Sequence, residues 1–213
     1  MKKYIAELIG TFALVFCGTG AIIINEQTGG TIGHIGIAIT FGLIVTVMIY
    51  TFGNSSGAHF NPAVSIAFWA AGLLNKKEVL PYICSQIIGA LLATAILKFL
   101  FPENIHLGAT MPTGSILQSF ILEIILTFFL MMVILSTSQG SKEVGTMAGI
   151  AIGSMVLLAA MFAGPISGAS MNPARSLSPA LFSGQIQTLW IYISAPVIGA
   201  LLSVIVWRSQ QKS

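Results

Sequence analysis

Six stretches of the chain are apolar almost without interruption: 4–24, 35–53, 79–100, 115–136, 145–163 and 188–207. Each comes close to the ~20 residues that a helix rising about 1.5 Å per residue needs to cross ~30 Å of hydrocarbon. Two further apolar stretches, 62–72 and 173–183, are only about half that long. Half-length helices fit a bilayer if the chain dips in and returns, because irregular backbone at that depth is tolerated where it is buried in protein or lines a cavity.

Each short stretch opens on the same tripeptide, Asn61-Pro62-Ala63 and Asn172-Pro173-Ala174. The preceding residues match as well: Ser56-Gly57-Ala58-His59-Phe60 and Ser167-Gly168-Ala169-Ser170-Met171. Asn caps a helix, and Pro suits the first helical position because it has no N–H to satisfy. Other landmarks recur in the second half: Glu7-x-x-x-Thr11-Phe12 at Glu123-x-x-x-Thr127-Phe128, Gly36-Ile37-Ala38-Ile39 at Gly149-Ile150-Ala151-Ile152, and Tyr82-Ile83 with Gly89 at Tyr192-Ile193 with Gly199. Each half carries three spans. An odd number inverts the second half, and the pseudo-two-fold axis then lies in the membrane plane. The expected fold is an all-α membrane protein, with six transmembrane helices plus two re-entrant half-helices in an inverted 3+3 repeat. It forms one domain over 1–213, with repeats at 1–105 and 110–213.

Composition sharpens this picture. With 55% hydrophobic and 7% charged residues, the chain lies far from the ~25% charge of soluble domains. The net charge of +3 comes from scattered residues, so no nucleic-acid partner is expected. Lys2, Lys3, Lys76, Lys77, Lys142, Arg208 and Lys212 fall on one side of a six-span chain, while Lys98 and Arg175 fall elsewhere. The positive-inside rule then predicts cytoplasmic termini in a multi-pass cell (plasma or inner) membrane protein. Met1-Lys2-Lys3 resembles the start of a signal peptide, but the succession of spans argues against cleavage. Cys17 and Cys84 lie alone in apolar runs and are expected to be small buried hydrophobes. Neither a metal-ligand spacing nor a nucleophile–base pair is visible, so no cofactor, metal or enzymatic activity is expected.

The chemistry gathers where the two half-helices meet. Their N-termini would face each other at mid-membrane, each carrying about half a positive charge. Asn61 and Asn172 could donate side-chain N–H groups to a solute oxygen while their own oxygens cap the helices. Such a centre suits neutral, oxygen-bearing solutes and repels cations. Glu7 and Glu123 are intramembrane carboxylates. They would accept hydrogen bonds from the re-entrant loops, or serve as a proton relay in a coupled transporter. His59 would line the cytoplasmic vestibule or brace its loop. His34 and His106 are expected to be solvated loop histidines. Gly145, Gly149 and Gly153 on the fifth span, and Gly89 and Gly199 on the third and sixth, allow close helix packing; direct pore lining is the alternative. Trp69, Trp190 and Trp207 are expected to be interface or packing aromatics.

The paired Asn-Pro-Ala with a trailing arginine resembles the aquaporin and glycerol-facilitator family, the major intrinsic proteins, over essentially the whole chain. That resemblance implies one pore per subunit, a homotetramer in the lipid bilayer, and passive transport of water or small neutral solutes. It also implies a selectivity ring outside the Asn-Pro-Ala centre, formed here by Phe41, Ala160, Ala169 and Arg175, with Ala159 and Met161 flanking the fifth-span position. Two alanines in that ring suggest an opening wider and less polar than a strict water filter. Ser176, Ala180 and Tyr192-Ile193 look like the nodulin-26-like branch and its bacterial relatives. The solutes so implied are glycerol and metalloid hydroxides (boric acid, arsenous acid) with some water. The alternatives are a mainly water-selective channel and, more distantly, an ion- or proton-coupled transporter.

Overall fold

The structure, a computed structural model, describes residues 1–211; Lys212, counted above among the basic residues of one side, lies outside them. Among the described residues, six long helices are apolar enough to span a membrane. They are α1 (Lys2–Gln27), α2 (Gly33–Ser56), α4 (Lys76–Leu100), α5 (Ile116–Ser138), α7 (Ala148–Ser167) and α9 (Leu189–Gln211). The half-helices are α3 (Pro62–Ala71) and α8 (Pro173–Ser183), of 10 and 11 residues. A short α6 (Lys142–Thr146) precedes α7.

Several boundaries follow from local chemistry. The side chains of Asn75 and Ser115 cap α4 and α5 by accepting from Lys77 N (3.0 Å) and Gln118 N (3.1 Å). The fifth span begins and ends later than the expected 145–163. Ser141 starts a separate turn, α6, and the chain breaks at Met147 before α7 begins. Gly145 therefore lies on α6 and not on the span. At the other end α7 runs on past Pro165 to Ser167. Pro165 has no N–H for the carbonyl of Met161, four residues earlier. The His34 ring supplies the missing donor, with Nε2 2.7 Å from that oxygen. His34, although exposed, lies in the first turn of α2 and ties that helix to α7 rather than standing in a loop. His106 is also partnered, its Nδ1 lying 2.7 Å from Gln185 Nε2.

The packing repeats in pairs. α1 lies against α4 and α2 as α5 lies against α9 and α7, and α3 touches α4 and α9 as α8 touches α9 and α4. Glycine sets the closest approaches. A Cβ on Gly89 would strike the carbonyl oxygen of Leu8, and one on its repeat mate Gly199 would strike that of Ile124. Gly153 likewise faces the carbonyl of Gly42 and the side chain of Thr46, and Gly149 faces the Tyr50 ring. The core surrounds the half-helices, where Phe60, Ala63, Val64 and Ala67 pack with Ala169, Met171 and Ala174. Cys84 is exposed and Cys17 half-buried, so neither is the buried hydrophobe expected; both belong to helix faces turned away from that core. Trp69 and Trp190 are exposed, while Trp207 packs against the core.

The basic residues mark one end of the molecule. Lys3 pairs with Glu78 at 2.7 Å, tying the start of α1 to the start of α4, and Arg208 donates to the Ala70 carbonyl at the end of α3.

A larger side chain at the helix contacts should be costly. Gly89→Leu and Gly199→Leu are each expected to destabilise the fold by about 1–3 kcal/mol through overpacking against backbone. The check is the thermal midpoint by circular dichroism in detergent; a midpoint at the wild-type value in either variant would contradict this packing.

Candidate functional site

Gly57–Asn61 and Gly168–Asn172, between the ends of α2 and α7 and the starts of the half-helices, run as irregular backbone. Four non-glycine residues there adopt positive φ: Ala58 (52°), Phe60 (49°), Ala169 (41°) and Met171 (52°). Such conformations cost roughly 1–3 kcal/mol each and persist only where the surroundings hold them. The surroundings here are two buried carboxylates. Glu7, 0% exposed, accepts from the Ser56 hydroxyl (2.7 Å), His59 N (2.9 Å), Phe60 N (2.7 Å) and Gln86 Nε2 (2.7 Å). Glu123, also 0% exposed, accepts from the Ser167 hydroxyl, Ser170 N and Met171 N, each at 2.8 Å. Both residues anchor the loops, and neither lines the cavity described below.

The loops then join each other. The Asn61 side-chain oxygen accepts from Ala63 N (2.9 Å), and its amide nitrogen donates to the Met171 carbonyl (2.7 Å). The Asn172 oxygen accepts from Ala174 N (3.0 Å) and Arg175 N (3.4 Å), and its amide donates to the Phe60 carbonyl (2.8 Å). The two bonds are reciprocal and lock the half-helices tip to tip. Each Asn N–H₂ has two hydrogens, so one remains for a solute. Pro62, Ala63, Pro173 and Ala174 are buried behind these tips and give the helices their start.

A cavity of about 710 Å³ runs past this junction. It opens at the basic end, among Asn54, Ser141, Lys142 and Thr146. It passes His59, then Asn61 and Asn172, and reaches Phe41, Ala160, Ala169 and Arg175. All four of those residues line this one cavity. Of the fifth-span neighbours, Ala160 lines the cavity and Ala159 and Met161 do not. Much of the remaining wall is apolar, including Leu14, Val45, Val64, Leu130, Ile134 and Val156. The loops contribute Gly57, Ala58, His59, Ala169 and Ser170 to the lining, and the carbonyls of Gly57–His59 and Gly168–Ser170 accept no protein hydrogen bond among the described residues.

His59 does both things that its position allowed. It lines the cavity, and it is held there by Ser65 (Nδ1 to Oγ, 3.0 Å) and by stacking on Phe68 with centroids 4.4 Å apart. Arg175 is 2% exposed. Its Nη1 donates to the Gly108 carbonyl (2.7 Å), and its guanidinium carbon sits 5.1 Å from the Phe41 ring centroid. No carboxylate lies within salt-bridge distance of it among the described residues, and Glu123 acts on its charge only from farther off. Its repeat mate is Val64, so the charge stands on one side of the junction only.

Sequence reasoning missed two parts. One is Gly108, which sits in a connection with no motif around it. The other is Gln86, fourth donor to Glu7; its signal was a polar residue in an apolar run at a position where the second half has Pro196.

Comparison with known proteins gives a consistent result. A family model described as Major intrinsic protein matches residues 1–207. An aquaporin of maize (Zea mays), Aquaporin NIP1-1, is 46% identical over 202 residues, covering 94% of this chain and 72% of its own. Nodulin-26 of soybean (Glycine max) is 45% identical over 209 residues, covering 98% and 77%. Among solved structures, the aquaglyceroporin from Plasmodium falciparum superposes with a TM-score of 0.87 at 25% identity, covering 97% of this chain and 94% of that one.

Removing a carboxylate should free the loops it holds. Glu123→Ala leaves three buried donors without their acceptor, at about 1–3 kcal/mol each. Glu123→Gln keeps one acceptor oxygen and should be milder. Expected is a lower thermal midpoint and lower yield of monodisperse protein for Ala than for Gln. Equal behaviour of both variants and wild type would contradict the anchoring role.

Proposed function

The chain belongs to the major intrinsic protein family, a family of membrane channels for small solutes, and from that premise we propose that it is a passive pore favouring glycerol and metalloid hydroxides such as boric and arsenous acid, together with some water. The observation that carries this reading is the pairing of Ala160 and Ala169 with Phe41 and Arg175 on the cavity wall. Two methyl-sized side chains leave room for a carbon-bearing or boron-bearing solute, and they offer no hydrogen bond that would favour water over it. Arg175 and the unpaired loop carbonyls supply donors and acceptors for hydroxyl groups, while the apolar wall opposite suits the rest of a polyol.

The same arrangement opposes ions. A cation approaching Arg175 meets a positive charge with no directly paired carboxylate and, beyond it, two positive helix ends, with apolar walls giving little in return. Coupling to an ion gradient would need a carboxylate free to change partners. Glu7 and Glu123 are instead occupied by loop donors and stand behind the cavity wall. That supports simple downhill permeation.

The assembly we propose is a homotetramer, each subunit with its own pore, in the plasma or inner membrane of the cell. Both termini are cytoplasmic in this reading. Lys2, Lys3, Lys76, Lys77, Lys142 and Arg208, all at one end, support that orientation.

Stopped-flow light scattering of reconstituted vesicles tests the solute. Glycerol and boric acid should enter quickly, at a rate indifferent to proton or sodium gradients. Fast osmotic shrinkage without entry of either solute would overturn the proposal in favour of a water channel. Arg175→Ala should widen the passage and weaken cation exclusion; an unchanged permeability spectrum would remove Arg175 from that role.

A further inference from the structure

The Phe41 ring has two neighbours of opposite kind. In front of it is the cavity, with the Arg175 guanidinium at 5.1 Å. Behind it is Gly18, a buried glycine of α1. A Cβ built on Gly18 would overlap the ring edge, lying 2.5 Å from Cζ and 2.6 Å from Cδ1, with Cε1 closer still. The ring therefore occupies the volume that any side chain at position 18 would need. Gly18 adopts ordinary helical backbone, so conformational freedom does not explain a glycine there. The space it leaves does.

We propose that Gly18 is a specificity-determining residue, acting from behind the wall: its missing side chain lets the Phe41 ring recede into α1 and sets how wide the passage is at Arg175. This inference rests on the reading that Phe41 limits the opening. The colliding atoms belong to the far end of a side chain and not to backbone, so a methyl at position 18 can be accommodated by turning the ring. α1 blocks the ring from behind, and the cavity is its free side. A methyl group at position 18 thus reappears as lost width in the pore. The arrangement is private to the first repeat. The second-half counterparts of Gly18 and Phe41 are Ile134 and Ser154, and Ile134 itself lines the cavity.

The experiment compares wild type, G18A, F41L and the G18A/F41L double variant in vesicles, reading the ratio of glycerol to water permeability. G18A should lower that ratio on the order of tenfold, the scale on which one methylene alters a fitted pocket. F41L should raise it, and the double variant should match F41L, because leucine has no ring edge to displace. A wild-type ratio in G18A together with a raised ratio in F41L would overturn the role of Gly18 and leave the reading of Phe41 standing. An unchanged ratio in F41L would instead remove Phe41 as the limit. Should G18A fail to fold, the double variant decides. Folding with the F41L ratio supports transmission through the ring; a ratio below that of F41L, or failure to fold, overturns it.

Discussion

A peptide N–H in the middle of a bilayer has no water to bond to, and this chain places several there, in loops that are neither helix nor strand. Two carboxylates resolve the conflict. Glu7 and Glu123 gather the donors of each loop onto one side, including His59 N and Phe60 N in the first and Ser170 N and Met171 N in the second. With the N–H groups turned toward the carboxylates, Gly57, Ala58 and Phe60 in one loop and Gly168, Ala169 and Met171 in the other hold positive φ, and the carbonyls of 57–59 and of 169 and 170 are left without protein partners beside the cavity. The anchoring that keeps the loops in the membrane and the supply of acceptors along the passage are one arrangement. Without the buried carboxylates the strained loops would lose most of the acceptors for their N–H groups, and the meeting point of α3 and α8 would rest on the asparagine bonds alone.

The second constraint is mutual. Each asparagine caps its own half-helix with its oxygen and holds the opposite loop with its nitrogen, through Asn61 to Met171 and Asn172 to Phe60. Neither half can settle alone, because each provides the carbonyl that the other's amide requires. The outer helices serve this junction by close approach: Gly89 beside the Leu8 carbonyl and Gly199 beside that of Ile124 bring α4 to α1 and α9 to α5 at the backbones that carry Glu7 and Glu123. Glycine spacing, carboxylate position and asparagine capping thus act on one object.

Much of this was legible in the chain. The six apolar runs and the two short ones appear as helices with shifts of a few residues, because burial in lipid and helix length are both local properties. The repeated Asn-Pro-Ala and the paired glutamates were legible because duplication printed them twice. The fifth span slipped because Gly145 and Gly149 share a spacing that a break at Met147 interrupts, and hydropathy does not register a turn. His34 was misread for a different reason. Its partner is a carbonyl orphaned by Pro165 on a helix far along the chain, and only the fold brings the two together. Gly18 is the same kind of case: nothing near it in sequence points to the Phe41 ring.

Symmetry fails at one place that matters for passage. Arg175 stands where the other half has Val64, so a molecule entering from the basic end meets the guanidinium after the asparagines and one entering from the opposite end meets it before them. A lopsided profile of this kind cannot, by itself, favour either journey. Microscopic reversibility makes the permeability coefficient the same in both senses, so accumulation follows only from what is consumed or bound at the far end.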